Sequence, residues 1–227
     1  MILAVTGLQR ERRIVAGPDV EAVAGGGDHA RLEAVLDRLA AGANGIISIG
    51  IAGALAPGLR PGSWIVANAV FDDGEPVPTD PAWMGRLAAR LPGAARGLLL
   101  GANAMVAEAT QKAALHRTTG AVAVDMESHI VARVARRHRL PFAVVRVISD
   151  AAHRTLPPAA RVGMKPDGRM DLPAVLSSLL VNPGQLPALI RTGLEAERAF
   201  RALLRGYRRL GPRLAGPDLD EPLLDMA

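Results

Sequence analysis

Short apolar runs alternate with segments of helical period along the first two thirds of this chain. Ile2 to Val5, Gly45 to Ile49, Ser63 to Val70, Ala121 to Val124 and Phe142 to Ile148 have the length and composition of strands. Each ends in a polar or glycine-rich turn: "TGLQRE", "GIAGAL", "FDDGEPVPTDP", "DMES" and "SDAA". Between them His29 to Ala41, Ala107 to Arg117 and Ser128 to Arg139 carry apolar residues at helical spacing. Strands alternating with helices predict an α/β fold with a largely parallel or mixed sheet.

The character changes near residue 155, so residues 1–227 read as a single domain with a helical C-terminal extension from about there. "TLPPAARVGMKPDGRMDLP" is turn-rich, and from Pro173 the pattern is of helices broken at "NPGQLP". From Leu189 to Leu210 the residues Leu189, Ile190, Leu194, Phe200, Leu203, Leu204 and Tyr207 recur at roughly helical spacing, with arginines mainly on other faces. That pattern predicts a helix docked on the domain with a solvated basic side; a basic helix resting on an anionic membrane is the second reading. The tail, "GPDLDEPLLDMA", is expected to fray.

Composition narrows the chemistry. The chain is 49% hydrophobic but only 3% aromatic, so alanine, valine and leucine must fill the interior. Without cysteine there can be no disulfide, thiolate nucleophile or cysteine-ligated zinc. Of 27 basic residues all but Lys112 and Lys165 are arginine, giving a net charge of +5. They are scattered, have few aromatics beside them and form no nucleic-acid-binding signature, so nucleic acid is not expected as a partner. The start has no positive charge before its apolar run and does not read as a signal peptide. The charge-free span from Arg38 to Arg60 holds five glycines and Pro57, which suits a turn, a buried strand and a glycine loop better than a membrane span. The expectation is a cytoplasmic protein, with peripheral contact to the inner membrane as the alternative.

On this strand assignment Glu11, a Gly50–Gly53 turn, Asp125 to Glu127 and Asp150 all lie beyond the carboxyl ends of strands, where α/β sheets bind ligands. Each has a plainer reading. Asp150 suits a turn, Glu127 the positive end of a helix dipole, and Glu11 the balance of neighbouring arginines. Three carboxylate positions and a glycine loop on one rim argue for a site more strongly than any of them alone. The five histidines show no metal-ligand spacing, and "GGGDHARLE" lacks the pattern of a phosphate loop; Asp28 as a helix N-cap explains it. His153 is near enough to Asp150 to reach the same rim, although surface packing is its simpler role. No metal or redox cofactor is implied.

"GLQRE", "GIAGAL" and "VDMESHIVARVARRHRLPFAVVRVISD", in this order, resemble the nucleoside phosphorylase superfamily over residues 1 to about 153. That superfamily includes the purine nucleoside phosphorylases and the methylthioadenosine/S-adenosylhomocysteine nucleosidases. "MKPDGRMDL" and "NPGQLPAL" are similar to the hopanoid-associated phosphorylases, proposed to remove adenine from adenosylhopane. The resemblance implies a three-layer fold with a central mixed sheet flanked by helices, a homo-oligomer, and a nucleoside substrate, here with a lipid 5′ substituent. It also implies roles: Glu127 accepting hydrogen bonds from ribose hydroxyls, Met126 packing on the sugar, and Asp150 giving a proton toward N7 of the purine. Asp125 is left for a structural role, and Ser149 either orients Asp150 or serves as a turn hydroxyl.

The nucleophile turns on one position. Related phosphorylases carry a phosphate-binding arginine four residues after the first glycine turn, whereas the nucleosidases carry a water-activating glutamate; here it is Glu11. Ile51 stands where relatives have a phosphate-binding hydroxyl, beside Gly53 as a further substrate-contacting position. Arg10, Arg12 and Arg13 suit a surface salt-bridge cluster more than an anion site. Hydrolysis is therefore expected, with phosphate as the alternative nucleophile. The base pocket departs too: where nucleosidases place a stacking aromatic, this chain has Ala104 and Met105, and Met105 either covers the purine or is core. A small-substrate nucleosidase and a non-catalytic binding module are the remaining readings.

Overall fold

The computed structural model describes residues 1–163, 165 and 167–217. Most of the tail expected to fray, and Met164 and Pro166 of "MKPDGRMDL", lie outside the described residues. In chain order the elements are β1 (Ile2–Thr6), α1 (Gln9–Val15), β2 (Val20–Ala24), α2 (His29–Ala40), β3 (Gly45–Ala54) and β4 (Trp64–Asp72). They continue with β5 (Glu75–Pro78), α3 (Pro81–Arg90), β6 (Ala95–Gly101), α4 (Ala109–Thr119), β7 (Ala123–Asp125) and α5 (Ser128–His138). β8 (Phe142–Asp150) is followed by α6 (Pro158–Arg161), α7 (Leu172–Val181), a 3-10 turn and α8 (Leu186–Leu210).

Among the described residues one mixed sheet contains all eight strands. β1 lies between β2 and β3, all parallel. β3 also pairs with β8 in parallel and, at its far end, with β7 in antiparallel. β8 then pairs with β4, β4 with β6 and β6 with β7, so five strands close into a ring. All five residues of β1, and all but Ser149 in β8, are buried, because both faces of the sheet are covered. On one face Leu3, Val5, Ile46 and Val144 meet Leu32 and Leu36 of α2 and Ile130 and Val134 of α5. On the other, Ile2, Ile47, Val145 and Val147 meet Val15 of α1, Trp83 and Leu87 of α3, and Ala199 and Leu203 of α8. This is the layered arrangement expected.

Three expectations are corrected. The Gly50–Gly53 "turn" is the second half of β3, which runs on to Ala54 with a register shift between Ala52 and Gly53. "TGLQRE" is not a turn but the entry to α1. The "FDDGEPVPTDP" turn contains a strand: β4 turns at Asp73 and Gly74, both at positive φ, and returns as β5. Two prolines hide β5 from a strand pattern, and they are tolerated because it is an edge. β2, β6 and α3 also went unread. The docked reading of the last helix holds for Phe200 and Leu203, but Ile190, Leu194 and Leu204, counted among the same positions, are exposed. No helix among the described residues is by itself long and apolar enough to cross a membrane.

Candidate active site

β1 ends at Thr6, β7 at Asp125 and β8 at Asp150, and the long β3 passes beside all three ends. Their residues converge on one cavity of about 720 Å³. Glu11, Ile51, Gly53, Met105, Met126, Glu127, Ser149 and Asp150, the positions singled out in the sequence, all line it, as does Asp125. His153 does not line it and is exposed.

Glu11 sits in the first turn of α1 and is 1% exposed. Its Oε2 accepts from the Leu8 N–H at 2.7 Å and its Oε1 from the Ile51 N–H at 2.7 Å. Burial pushes its carboxyl up, and those two N–H groups pull against the rise. β3 admits it because position 50 has no side chain: a Cβ on Gly50 would lie 2.6 Å from Oε1. Two of the neighbouring arginines are engaged elsewhere. Arg10 pairs with Glu197 at 2.8 Å and lies over the Phe200 ring, and Arg12 donates to the Ala22 carbonyl at 2.8 Å.

Asp125 and Glu127 divide two roles. Asp125 Oδ1 accepts from the N–H of Glu127 at 3.2 Å, the N–H of Ser128 at 2.9 Å and the Ser128 hydroxyl at 2.7 Å, capping α5. Its Oδ2 accepts from Arg146 Nε at 2.6 Å, and Arg146 also donates to Ser48 Oγ at 2.5 Å. Glu127 makes no capping bond, although it stands at the N-cap position. Its Oε2 lies 3.8 Å from Arg146, and a Cβ on Gly7 would lie 3.0 Å from its Oε1, which places the carboxylate beneath the end of β1. Burial first, and then the Asp125 carboxylate, push Glu127 up to about 8. Buried Arg146 keeps its proton because Asp125, Glu127 and Glu11 surround it.

Asp150 closes β8 opposite Gly53, where a Cβ would lie 3.2 Å from its Oδ2. The Ser149 hydroxyl lies 2.7 Å from Asp150 Oδ1 and 3.1 Å from the Ala52 carbonyl, two acceptors that share its one proton. The other oxygen pairs with the Lys112 ammonium, which is fully buried and also donates to the Arg154 carbonyl at 2.9 Å. Sequence reasoning missed Lys112, because a lysine in a mid-polar helix reads as solvated. It missed Arg146 as well, although one cation inside the apolar run "FAVVRVIS" was the available signal. Phe200 of α8 was read as core and lines the cavity. On that side the wall is apolar, formed by Leu156, Ala159, Val175, Leu189 and Ala196 with Phe200.

Residues 26–180 match the family described as the phosphorylase superfamily. The chain belongs to that family. Among proteins of curated function no sequence matches it. Its fold is shared with solved members of known structure. The methylthioadenosine/S-adenosylhomocysteine nucleosidase of S. pneumoniae, bound to a transition-state inhibitor, is 17% identical with a TM-score of 0.63, covering 92% of this chain and 99% of its own. That of Colwellia psychrerythraea, bound to adenine, is 13% identical with a TM-score of 0.64, covering 93% and 96%. Futalosine hydrolase of Helicobacter pylori is 16% identical with a TM-score of 0.65, covering 92% and 96%. At such identity these neighbours speak for the fold of this superfamily member. Residue roles rest on its own geometry.

Proposed function

We propose that this phosphorylase-superfamily chain hydrolyses the N-ribosidic bond of an adenine nucleoside bearing an apolar 5′ group, adenosylhopane being the substrate its sequence resemblance names. The observation that carries the reading is the commitment of Glu11. The Ile51 N–H, all that position offers an anion, already donates to Glu11 Oε1, so the strand that would cradle phosphate holds a carboxylate instead. A carboxylate there repels phosphate and deprotonates water.

The steps follow from the three acids. Glu11 takes a proton from water as its oxygen bonds to the anomeric carbon. Glu127 accepts from the ribose hydroxyls and, once ionised, faces the positive charge that grows on the sugar, with Met126 packed against the ring. The C–N bond breaks, its electron pair stays with the purine, and a proton reaches N7 through Asp150. The Lys112 ammonium, paired with the other oxygen of Asp150, holds the carboxylate that is left behind. Ser149 orients Asp150 when its proton points to Oδ1. Met105 and Phe200 are the side chains available to cover the base in place of a loop aromatic.

The apolar wall beyond the sugar site supports a bulky 5′ substituent. The solved neighbours that act on methylthioadenosine favour a smaller one, and Arg10 and Arg13 on the cavity wall keep phosphorolysis as the alternative. A homo-oligomer in the cytoplasm belongs to the same reading. Incubating the enzyme with adenosylhopane and with methylthioadenosine, each with and without phosphate, distinguishes these. Free adenine from adenosylhopane in phosphate-free buffer is expected; strict phosphate dependence, or turnover of methylthioadenosine alone, sinks the proposal.

A further inference from the structure

Helix α7 has no charged residue, and none follows until Arg191. None of its residues is buried. A helix apolar nearly all round belongs in a core or in lipid, and α7 has no core around it. It is not alone. Among the described residues, nine of the twelve exposed large hydrophobic side chains fall between Val162 and Leu194. They include Leu176, Leu180 and Val181 of α7 and Leu186, Ile190 and Leu194 of α8, on either side of a 115° bend, and Leu180 is 85% exposed. A patch of this kind marks an interaction surface.

Two observations choose its occupant. The patch is the rim of the cavity: Met170 is 70% exposed and lines the cavity, and Val175 and Leu189 line it from the same two helices that carry the patch. A second copy of the chain seated there would cover that rim, whereas a bilayer would bury the patch and open the apolar wall onto lipid. The margin is also cationic. Arg161, Lys165, Arg169 and Arg191 are exposed around the patch, Arg161, Arg169 and Arg191 sharing the carboxylates of Glu108, Asp167 and Glu195, on a chain of net charge +5. Apolar side chains flanked by exposed cations suit an interface with anionic headgroups.

We propose that α7 and the first turns of α8 form a docking face for an anionic lipid bilayer, seating the mouth of the active-site cavity against the membrane. The proposal deepens the functional reading, on which it rests only for the reason the mouth should face lipid. The contact is with the surface and spans nothing.

The test uses the full chain, vesicles of phosphatidylcholine with and without phosphatidylglycerol, and the double variant Leu176→Glu/Leu180→Glu, whose side chains do not line the cavity. Wild type is expected to sediment with the phosphatidylglycerol vesicles and less with phosphatidylcholine alone. The variant should sediment about tenfold less or lower, melt at the wild-type temperature and cleave a water-soluble adenine nucleoside at the wild-type rate. Wild type that stays in the supernatant, or a variant that sediments like wild type, overturns the proposal. So does a wild-type oligomer that the variant breaks apart without any vesicle binding, which would make the face a protein interface. Vesicle binding without adenine release from any nucleoside would defeat the functional reading and leave the docking face standing; adenine release without vesicle binding would do the reverse.

Discussion

Two carboxylates separated by one methionine do opposite work here. Asp125 is used up by the cap of α5 and by Arg146, which leaves Glu127 buried, uncapped and available to a ligand. That availability is costly to the fold. With its carboxyl raised to about 8 from an ordinary 4.5, Glu127 keeps a proton in the native state that the unfolded chain releases above 4.5. Its contribution to stability is therefore fully present below pH 4.5 and is lost as pH rises to about 8, on the order of a few kcal/mol. The isosteric Glu127→Gln has no proton to lose. Thermal melts at pH 5 and pH 8.5 should show a smaller fall in Tm for the variant than for wild type, together with a steep loss of adenine release; equal falls would remove the assigned cause. At this scale Glu11, Glu127 and Asp150 were legible because they are acids at strand ends, where burial is the exception. Lys112 and Arg146 were not, since their partners lie 38 and 21 residues away in sequence and only packing brings them together.

At the scale of elements, β3 does what a glycine loop was expected to do. It runs beside the ends of β1, β7 and β8, with its register shift between Ala52 and Gly53, and its glycines let neighbouring acids approach a strand that would otherwise exclude them. Gly50→Ala tests this without touching an acid. The new Cβ would meet Glu11 Oε1 at 2.6 Å, so the carboxylate must give up its bond from the Ile51 N–H or the strand must shift, a cost of about 1–3 kcal/mol. A loss of adenine release of about tenfold or more is expected, with sedimentation and circular dichroism unchanged; full activity would mean that Glu11 need not be held where it is. Apolar runs buried on both faces, such as β1 and β8, were readable because composition alone marks them. β5 was hidden by its prolines, and β3 was cut short because glycines signal a turn when periodicity is the only guide.

Over the whole molecule, the ring of strands brings the ends of β7 and β8 to the far end of β3, and the helices after β8 build the apolar half of the cavity. The layered fold was legible from alternating patterns. The cavity's second wall was not, because α6, α7 and the start of α8 have no period that says which side faces a ligand. The account then rests on water as the nucleophile at a site the superfamily's name associates with phosphate. Running the reaction in ¹⁸O-labelled water with phosphate present tests that most directly. One label on the anomeric oxygen of the free sugar for each adenine released is the predicted result, and unlabelled sugar 1-phosphate would contradict it.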